Sequence, residues 1–236
     1  MSTRTATSKP AQVKAKSLPG QRKAQAVPVS FTSDRAAQAW AKLQQGNARW
    51  VNGQSRAGQS RNQQRRADLV AGQQPFAAIL SCADSRTPPE IVFDQGLGDV
   101  FVVRTAGHAV DDAVLGSLEY AIAALGVDLV LVLGHEKCGA IKAAHQTLAD
   151  GTVPGGYIRD VVSKLTCDMA TGQNSGLVDL EELTQWHADS TAQLLQSRSG
   201  ILRDAVAGNT LGVLAATYEL SSGLVHPVRA NLTNPA

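Results

Sequence analysis

The stretch FAAILSCADSR at residues 76–86 decides the fold. Its first half is an unbroken apolar run, and its second half places a thiol, a carboxylate and a guanidinium directly behind that run. Further apolar runs occupy residues 100–103, 129–133 and 211–216. Unbroken apolarity is typical of strands that are covered on both faces. The pattern predicts an α/β fold with a mostly parallel four-stranded sheet.

Segments with helical spacing separate the later runs. Apolar side chains recur every three or four positions at residues 111–125, 138–148, 157–165 and 180–195, which predicts helices that flank the sheet. A hairpin-like piece at residues 217–228 turns at residues 221–223. We expect this piece to add a C-terminal edge strand.

Two helical segments precede the first strand. One begins at Thr32 or Ser33 and carries Trp40 and Trp50 on roughly one face. The other covers residues 62–71 and has few apolar side chains. Because these segments have so little core of their own, we predict that the N-terminal helices dock on a partner subunit.

The composition is that of a globular protein. With 236 residues, 43% of them hydrophobic, the chain can bury one full core, and we expect a single domain over residues 31–236. The sequence contains no run of eighteen apolar residues, so it predicts no membrane span. The first thirty residues also lack the apolar centre of a secretory signal. Three cysteines are too few for a disulfide scaffold. We therefore expect a cytoplasmic protein.

The formal charge of +2 is unevenly distributed. Residues 1–33 carry six basic side chains and no acidic one, so the rest of the chain has a net charge of −4. Residues 1–30 have too few large apolar side chains to offset their ordering entropy, which predicts a disordered basic tail. This tail either binds an acidic partner or is a solvated extension, and a nucleic-acid partner is not favoured.

Reactive side chains end the predicted strands. Cys82 follows the first strand, and His135 and Cys138 follow the third. The carboxyl ends of parallel strands share one edge of the sheet, where such folds bind ligands. Thiolates and imidazoles bind zinc, and three protein ligands leave one coordination position open. A His-x-x-Cys pair alone is more often structural, but the neighbouring Cys82 favours a catalytic zinc site.

Asp84 and Arg86 lie two residues apart, where a carboxylate and a guanidinium can form a bidentate pair. One interpretation is an ion pair that only stabilises the loop. The other is a carboxylate that binds either the zinc or Arg86. When Asp84 turns to the metal it fills the open zinc position, and when Asp84 pairs with Arg86 that position is open to water.

Together these motifs resemble the beta-class carbonic anhydrases. The resemblance covers about residues 34–230 and rests on four motifs in the order and spacing of that family. They are CADSR at residues 82–86, FVVR at 101–104, EYA at 119–121 and GHEKCG at 134–139. The resemblance implies zinc ligands at Cys82, His135 and Cys138, with Asp84 and Arg86 as the dyad that controls the fourth position.

The resemblance also implies a substrate site. Gln73, Phe101 and Tyr120 match residues that close the pocket across a dimer interface. Gly139, the last residue of the GHEKCG motif, is assigned to the same site. Ile79 stands where one type of active site in this family has a tryptophan that helps to bind regulatory bicarbonate. The other, plant-like type, with the dyad carboxylate usually off the metal, is therefore favoured.

The implied reaction is the reversible hydration of carbon dioxide to bicarbonate and a proton by attack of zinc-bound hydroxide, in a homodimer or a higher even oligomer. His108 is either a proton shuttle or a solvated loop histidine. Two alternatives stay open: hydrolysis of carbon disulfide or carbonyl sulfide, and a structural-zinc binding protein that acts through its basic tail. A further hypothesis, motivated by charge alone, has the tail recruit the enzyme to a carbon-fixing microcompartment.

Overall fold

A computed structural model describes residues 29–228. The strands are β1 (Ala77–Cys82), β2 (Val100–Thr105), β3 (Leu129–His135), β4 (Gly212–Tyr218) and β5 (Val225–Pro227). The helices are α1 (Asp34–Val51), α2 (Gln63–Asp68), α3 (Pro89–Val92), α4 (Asp112–Ala123), α5 (Gly139–Asp150), α6 (Ile158–Asn174), α7 (Leu180–Arg198) and α8 (Gly200–Ala207). Except for its last two positions, the predicted basic tail lies outside the described residues.

The strands form one sheet in the order β2-β1-β3-β4-β5. The first four are parallel, and β5 pairs with β4 in the antiparallel direction. Every residue of β1 and β3 is buried, as the unbroken apolar runs predicted. The α/β fold with a parallel sheet and an added C-terminal edge strand is therefore confirmed.

Side-chain caps fix where several helices begin. The Ser33 hydroxyl accepts a hydrogen bond from the Ala36 N–H at 3.3 Å, so α1 starts directly after one of its two predicted caps. Asp111 accepts from the Val114 N–H at 2.9 Å and starts α4. Caps of this kind satisfy N–H groups that have no partner in the helix and stabilise it by about 1 kcal/mol each.

Alternate side chains of the sheet enter two separate cores. On one face, Leu80 and Val132 pack with residues of α4, α7 and α8. On the other face, Ile79 and Leu131 pack with residues of α1. Each fully buried side chain of this size contributes roughly 1.5–3 kcal/mol. The two cores enclose β1 and β3 from both faces, and the carboxyl ends of these two strands carry the reactive residues.

One face of α1 packs within its own chain. Trp40 is 5% exposed and Leu43 is fully buried against the sheet of the same chain, so α1 docks on its own subunit. By contrast, α2 contains no buried residue, and Val70, two residues after its end, is 86% exposed. Docking on a partner subunit stays a prediction for the N-terminal helices. Within residues 29–228, no helix is long and apolar enough to cross a membrane.

Candidate metal centre

Neighbouring strand ends bring the three predicted ligands together. Cys82 is the last residue of β1 and His135 the last of β3, and these strands pair in parallel. After β3 the chain turns through Lys137, whose φ of 53° is left-handed, and Cys138 becomes the N-cap residue of α5. The fold therefore delivers all three side chains to one buried position at the carboxyl edge of the sheet.

The geometry of this cluster fits a zinc ion. The ligand atoms of Cys82, His135 and Cys138 all lie within 4.8 Å of one another. The two sulfur atoms are 3.9 Å apart, close to the roughly 3.8 Å expected when both lie 2.3 Å from a tetrahedral zinc. His135 Nδ1 lies 2.7 Å from the carbonyl oxygen of Glu136, whereas His135 Nε2 is buried and has no hydrogen-bond partner among residues 29–228. A metal would satisfy that nitrogen.

The contact between the two thiols moves their pKa values in opposite directions. The hydrogen bond from Cys138 outweighs burial and lowers the pKa of Cys82 to about 4. The same contact, together with burial, raises the pKa of Cys138 far above its usual range. A divalent cation displaces the thiol proton, because cysteine binds metals as the thiolate. Two thiolates and one imidazole are a donor set that suits zinc.

The structure shows Asp84 held by Arg86. The Arg86 side chain donates to the Asp84 carboxylate through Nε at 2.9 Å and Nη2 at 2.6 Å, and the Arg86 N–H donates at 2.9 Å. These bonds hold the pKa of Asp84 well below its usual range. Asp84 Oδ2 lies 4.0 Å from His135 Nε2. The carboxylate therefore borders the cluster while it pairs with the guanidinium.

Two residues that support Cys82 were not assigned a role from the sequence. Arg104 donates to the carbonyl of Cys82 at 2.9 Å and to that of Asp84 at 2.6 Å, so it fixes the loop behind β1. The Gly107 N–H donates to Cys82 Sγ at 3.2 Å. Gly107 has a φ of 61°, and a Cβ there would lie 2.8 Å from Leu165 Cδ1, so only glycine fits. The position of Arg104 in the FVVR motif was the sequence feature that could have indicated its role.

The predicted substrate residues lie outside the cluster. Phe101 and Tyr120 are neighbours, with ring centroids 6.3 Å apart, and Tyr120 is 52% exposed. Gln73 is exposed in front of β1, and Gly139 is exposed at the start of α5. Because three of these four residues are exposed, they do not form a closed pocket with the other described residues of the same chain.

His108 is neither solvated nor placed as a shuttle. It is fully buried, neither of its ring nitrogens has a hydrogen-bond partner in the described part of the chain, and its ring stacks on that of His187 with centroids 4.3 Å apart. Burial, together with the charges of His187 and His135, lowers the pKa of His108 well below its usual range. The solvated-loop interpretation is wrong, and a buried neutral imidazole is poorly suited to exchange protons with solvent.

Comparisons of the sequence with known proteins point to one family. Residues 77–225 match the family model described as carbonic anhydrase. Carbonic anhydrase 2 of Mycobacterium tuberculosis is 48% identical over 185 residues, which cover 78% of this chain and 89% of that protein. The chain belongs to the carbonic anhydrase family. The carbonic anhydrase of Mycolicibacterium smegmatis is 46% identical over 79% of this chain and 90% of its own.

Solved structures of beta-carbonic anhydrases share the fold. The beta-carbonic anhydrase CcaA superposes with a TM-score of 0.64 and 22% identity over 73% of this chain and 88% of its own. A tetrameric beta-carbonic anhydrase from Sordaria macrospora superposes with a TM-score of 0.63 and 23% identity over 81% of this chain and 98% of its own. The carbonic anhydrase family predicted from the sequence motifs is confirmed, and the chain shares the fold of these beta-class structures. Beta-carbonic anhydrases are zinc enzymes, and Cys82, His135 and Cys138 are placed to hold the metal.

Proposed function

We propose that this chain is a carbonic anhydrase that converts carbon dioxide and water reversibly to bicarbonate and a proton, with zinc bound by Cys82, His135 and Cys138. The observation that carries the proposal is the buried, unpartnered Nε2 of His135 beside two thiols, with all three ligand atoms within 4.8 Å of one another. Relatives named carbonic anhydrase at 46% and 48% identity support the reaction.

The ligand set favours catalysis over a structural role. Structural zinc sites are closed by four protein ligands, whereas catalytic sites keep one position open. Three ligands form this cluster, and the nearby Asp84 is held by Arg86. Zinc bound at such a site would supply Lewis acidity that lowers the pKa of a water molecule toward neutrality. The chain itself orients His135 through the carbonyl of Glu136.

Asp84 is proposed to orient the reacting water. Its pairing with Arg86 keeps the carboxylate ionised, and an ionised carboxylate accepts hydrogen bonds but donates none. Oδ2 lies 4.0 Å from His135 Nε2, at the border of the cluster. From there it can accept a hydrogen bond from water on the open side. This arrangement also supports the plant-like type of active site, in which the dyad carboxylate stays off the metal.

We further propose that the substrate pocket is completed by a second copy of the chain. Tyr120 is half exposed, β2 with Phe101 is an edge strand of the sheet, and α2 buries none of its residues. Exposed apolar surface of this kind is typical of subunit interfaces. Gln73, Phe101, Tyr120 and Gly139 would then line the pocket in a homodimer or a higher even oligomer.

The test is stopped-flow hydration of carbon dioxide by zinc-loaded protein over a pH series from about 6 to about 9. Activity should rise with pH above neutrality, as a titrating water requires. Cys138→Ser should lose both zinc and activity, whereas Cys167→Ser is the matched control, because Cys167 is an exposed cysteine outside the cluster. Carbon disulfide and carbonyl sulfide are the alternative substrates in the same series. A zinc-loaded protein that does not turn over carbon dioxide would disprove the proposal.

A further inference from the structure

A chain of hydrogen bonds leads from Cys82 into the pair of helices α6 and α7. The Gly107 N–H donates to Cys82 Sγ at 3.2 Å. The Gly107 carbonyl oxygen lies 3.0 Å from His187 Nε2, and His187 Nδ1 lies 2.5 Å from Asp168 Oδ2. The Ser190 hydroxyl donates to the other oxygen of Asp168. A candidate metal ligand is thus linked to a histidine–carboxylate pair that does not touch the metal site.

The hydrogen-bonding roles in this chain are fixed by chemistry. A carbonyl oxygen can only accept, so His187 Nε2 must carry a proton and donate it to Gly107. His187 Nδ1 faces a carboxylate, so a second proton lies between that nitrogen and Asp168. The His187 side chain is 6% exposed and that of Asp168 18% exposed. Asp168 therefore fixes both the ring orientation and the proton position of His187, as carboxylates do for metal-binding histidines.

The backbone at Gly107 and His108, which His187 contacts, has left-handed φ angles. Gly107 has a φ of 61°, and His108, which has a Cβ, has a φ of 44°. Left-handed backbone at a residue other than glycine costs on the order of 1 kcal/mol and persists where surrounding contacts enforce it. His187 supplies two such contacts, because it bonds the Gly107 carbonyl and stacks on the ring of His108 at 4.3 Å. Leu165 of α6 closes the space beside Gly107.

We infer that Asp168 and His187 are positioning residues of the metal centre, which hold the Gly107 N–H against the sulfur of Cys82. The direction of that N–H depends on the left-handed turn at Gly107. His187 stabilises this turn through its hydrogen bond to the Gly107 carbonyl oxygen. A hydrogen bond to a thiolate stabilises its negative charge and tunes its strength as a metal ligand. Loss of the anchor should therefore change metal binding as well as folding. This inference rests on the proposed zinc site.

The experiment measures metal binding directly. Zinc affinity is determined by competition with a chelator, and the thiolate-to-metal absorption band is recorded after cobalt substitution. His187→Ala should weaken zinc binding about 10–100-fold and shift the cobalt band. His187→Gln keeps a donor at a similar distance from the backbone and should restore part of the affinity. Asp168→Asn should weaken binding less than His187→Ala does, because it removes only the charge that orients the ring.

His226→Gln is the matched control, because His226 pairs with Glu219, 3.8 Å away, in another histidine–carboxylate contact. If His187→Ala does not fold, as judged by thermal unfolding, the isosteric Asp168→Asn variant decides the test. Zinc affinity within twofold of wild type and an unchanged cobalt band in the folded variants would overturn the inference, even if the unfolding temperature fell. Wild-type protein that binds no zinc would instead disprove the proposed function.

Discussion

The metal cluster and the predicted substrate pocket differ in how much of each lies within one chain. Cys82, His135 and Cys138 are buried together at the ends of neighbouring strands. By contrast, Tyr120 is half exposed, and Phe101 lies on an edge strand. Residues next to the middle of the sheet can be organised by one chain, whereas residues at its free edge need another surface to enclose them. The comparison predicts a metal site that is intact in each subunit and a pocket that depends on assembly.

The largest effect is expected at Asp84, which borders the metal cluster. Asp84→Asn removes the charge that Arg86 holds beside the cluster while it preserves the shape of the side chain. We expect normal zinc content and a fall in kcat/KM of about 100-fold, because general acid–base and orienting groups contribute at least that much. Metal analysis and stopped-flow hydration measure the two quantities.

Asp150→Asn is the control for this substitution. Asp150 is an exposed carboxylate whose pKa is also lowered by hydrogen bonds, from Thr152 and Gln146, at the end of α5. It should leave kcat/KM unchanged. Wild-type turnover in Asp84→Asn would show that the Asp84–Arg86 pair only stabilises its loop.

A smaller effect is expected on the pocket side. Gln73→Ala should keep zinc and lose about 10-fold in kcat/KM, if its amide donates to the oxygen that gains charge. Mixing this variant with Cys138→Ser distinguishes a pocket shared between subunits from one within a chain. In a shared pocket, a mixed dimer contains one site with both an intact cluster and an intact Gln73, so activity should recover to about a quarter of wild type.

Each variant refolded alone is the control for the mixing experiment. A mixture no more active than the average of its two parents would place Gln73 in the same chain as the cluster it serves. The same exchange with Tyr218→Phe in place of Gln73→Ala should give no recovery beyond that average, because Tyr218 is buried in the core of its own chain.

The features predicted correctly from the sequence depend on contacts that are short along the chain or on a regular pattern. The apolar runs located all four parallel strands, and parallel strands bring Cys82 and His135 to one edge whatever the helices do. The cap at Ser33 and the burial of Trp40 on one face of α1 were also predicted from the sequence, whereas Trp50 of the same predicted face is 37% exposed. The surface on which α1 docks was not predicted, because apolar spacing shows that a face is buried but not which chain buries it.

The support behind Cys82 could not be predicted for a related reason. Gly107 and His187 are separated by 80 residues, and their bond depends on how α6 and α7 pack on the turn after β2. A histidine within an amphipathic helix has no local signature that distinguishes a core residue from one that anchors a loop. His108 shows the same limit, since its loop position predicted solvent contact whereas the packed helices bury it completely.

The smallest expected effect concerns this buried turn, which belongs to the metal side of the comparison. The pKa of His108 is lowered by burial, so the unfolded chain takes up a proton near pH 6.5 that the folded chain does not. Stability should therefore be fully present above about pH 6.5 and fall by up to about 1.4 kcal/mol for each pH unit below it. The asparagine in His108→Asn tolerates the left-handed φ of 44°, and the substitution should flatten this slope by that amount.

Denaturant unfolding at several pH values and at two protein concentrations measures this dependence of the free energy of unfolding on pH. If the turn is organised by one chain, the change in slope should be the same at both; a change that appears only at the higher concentration would assign the turn to the subunit interface instead.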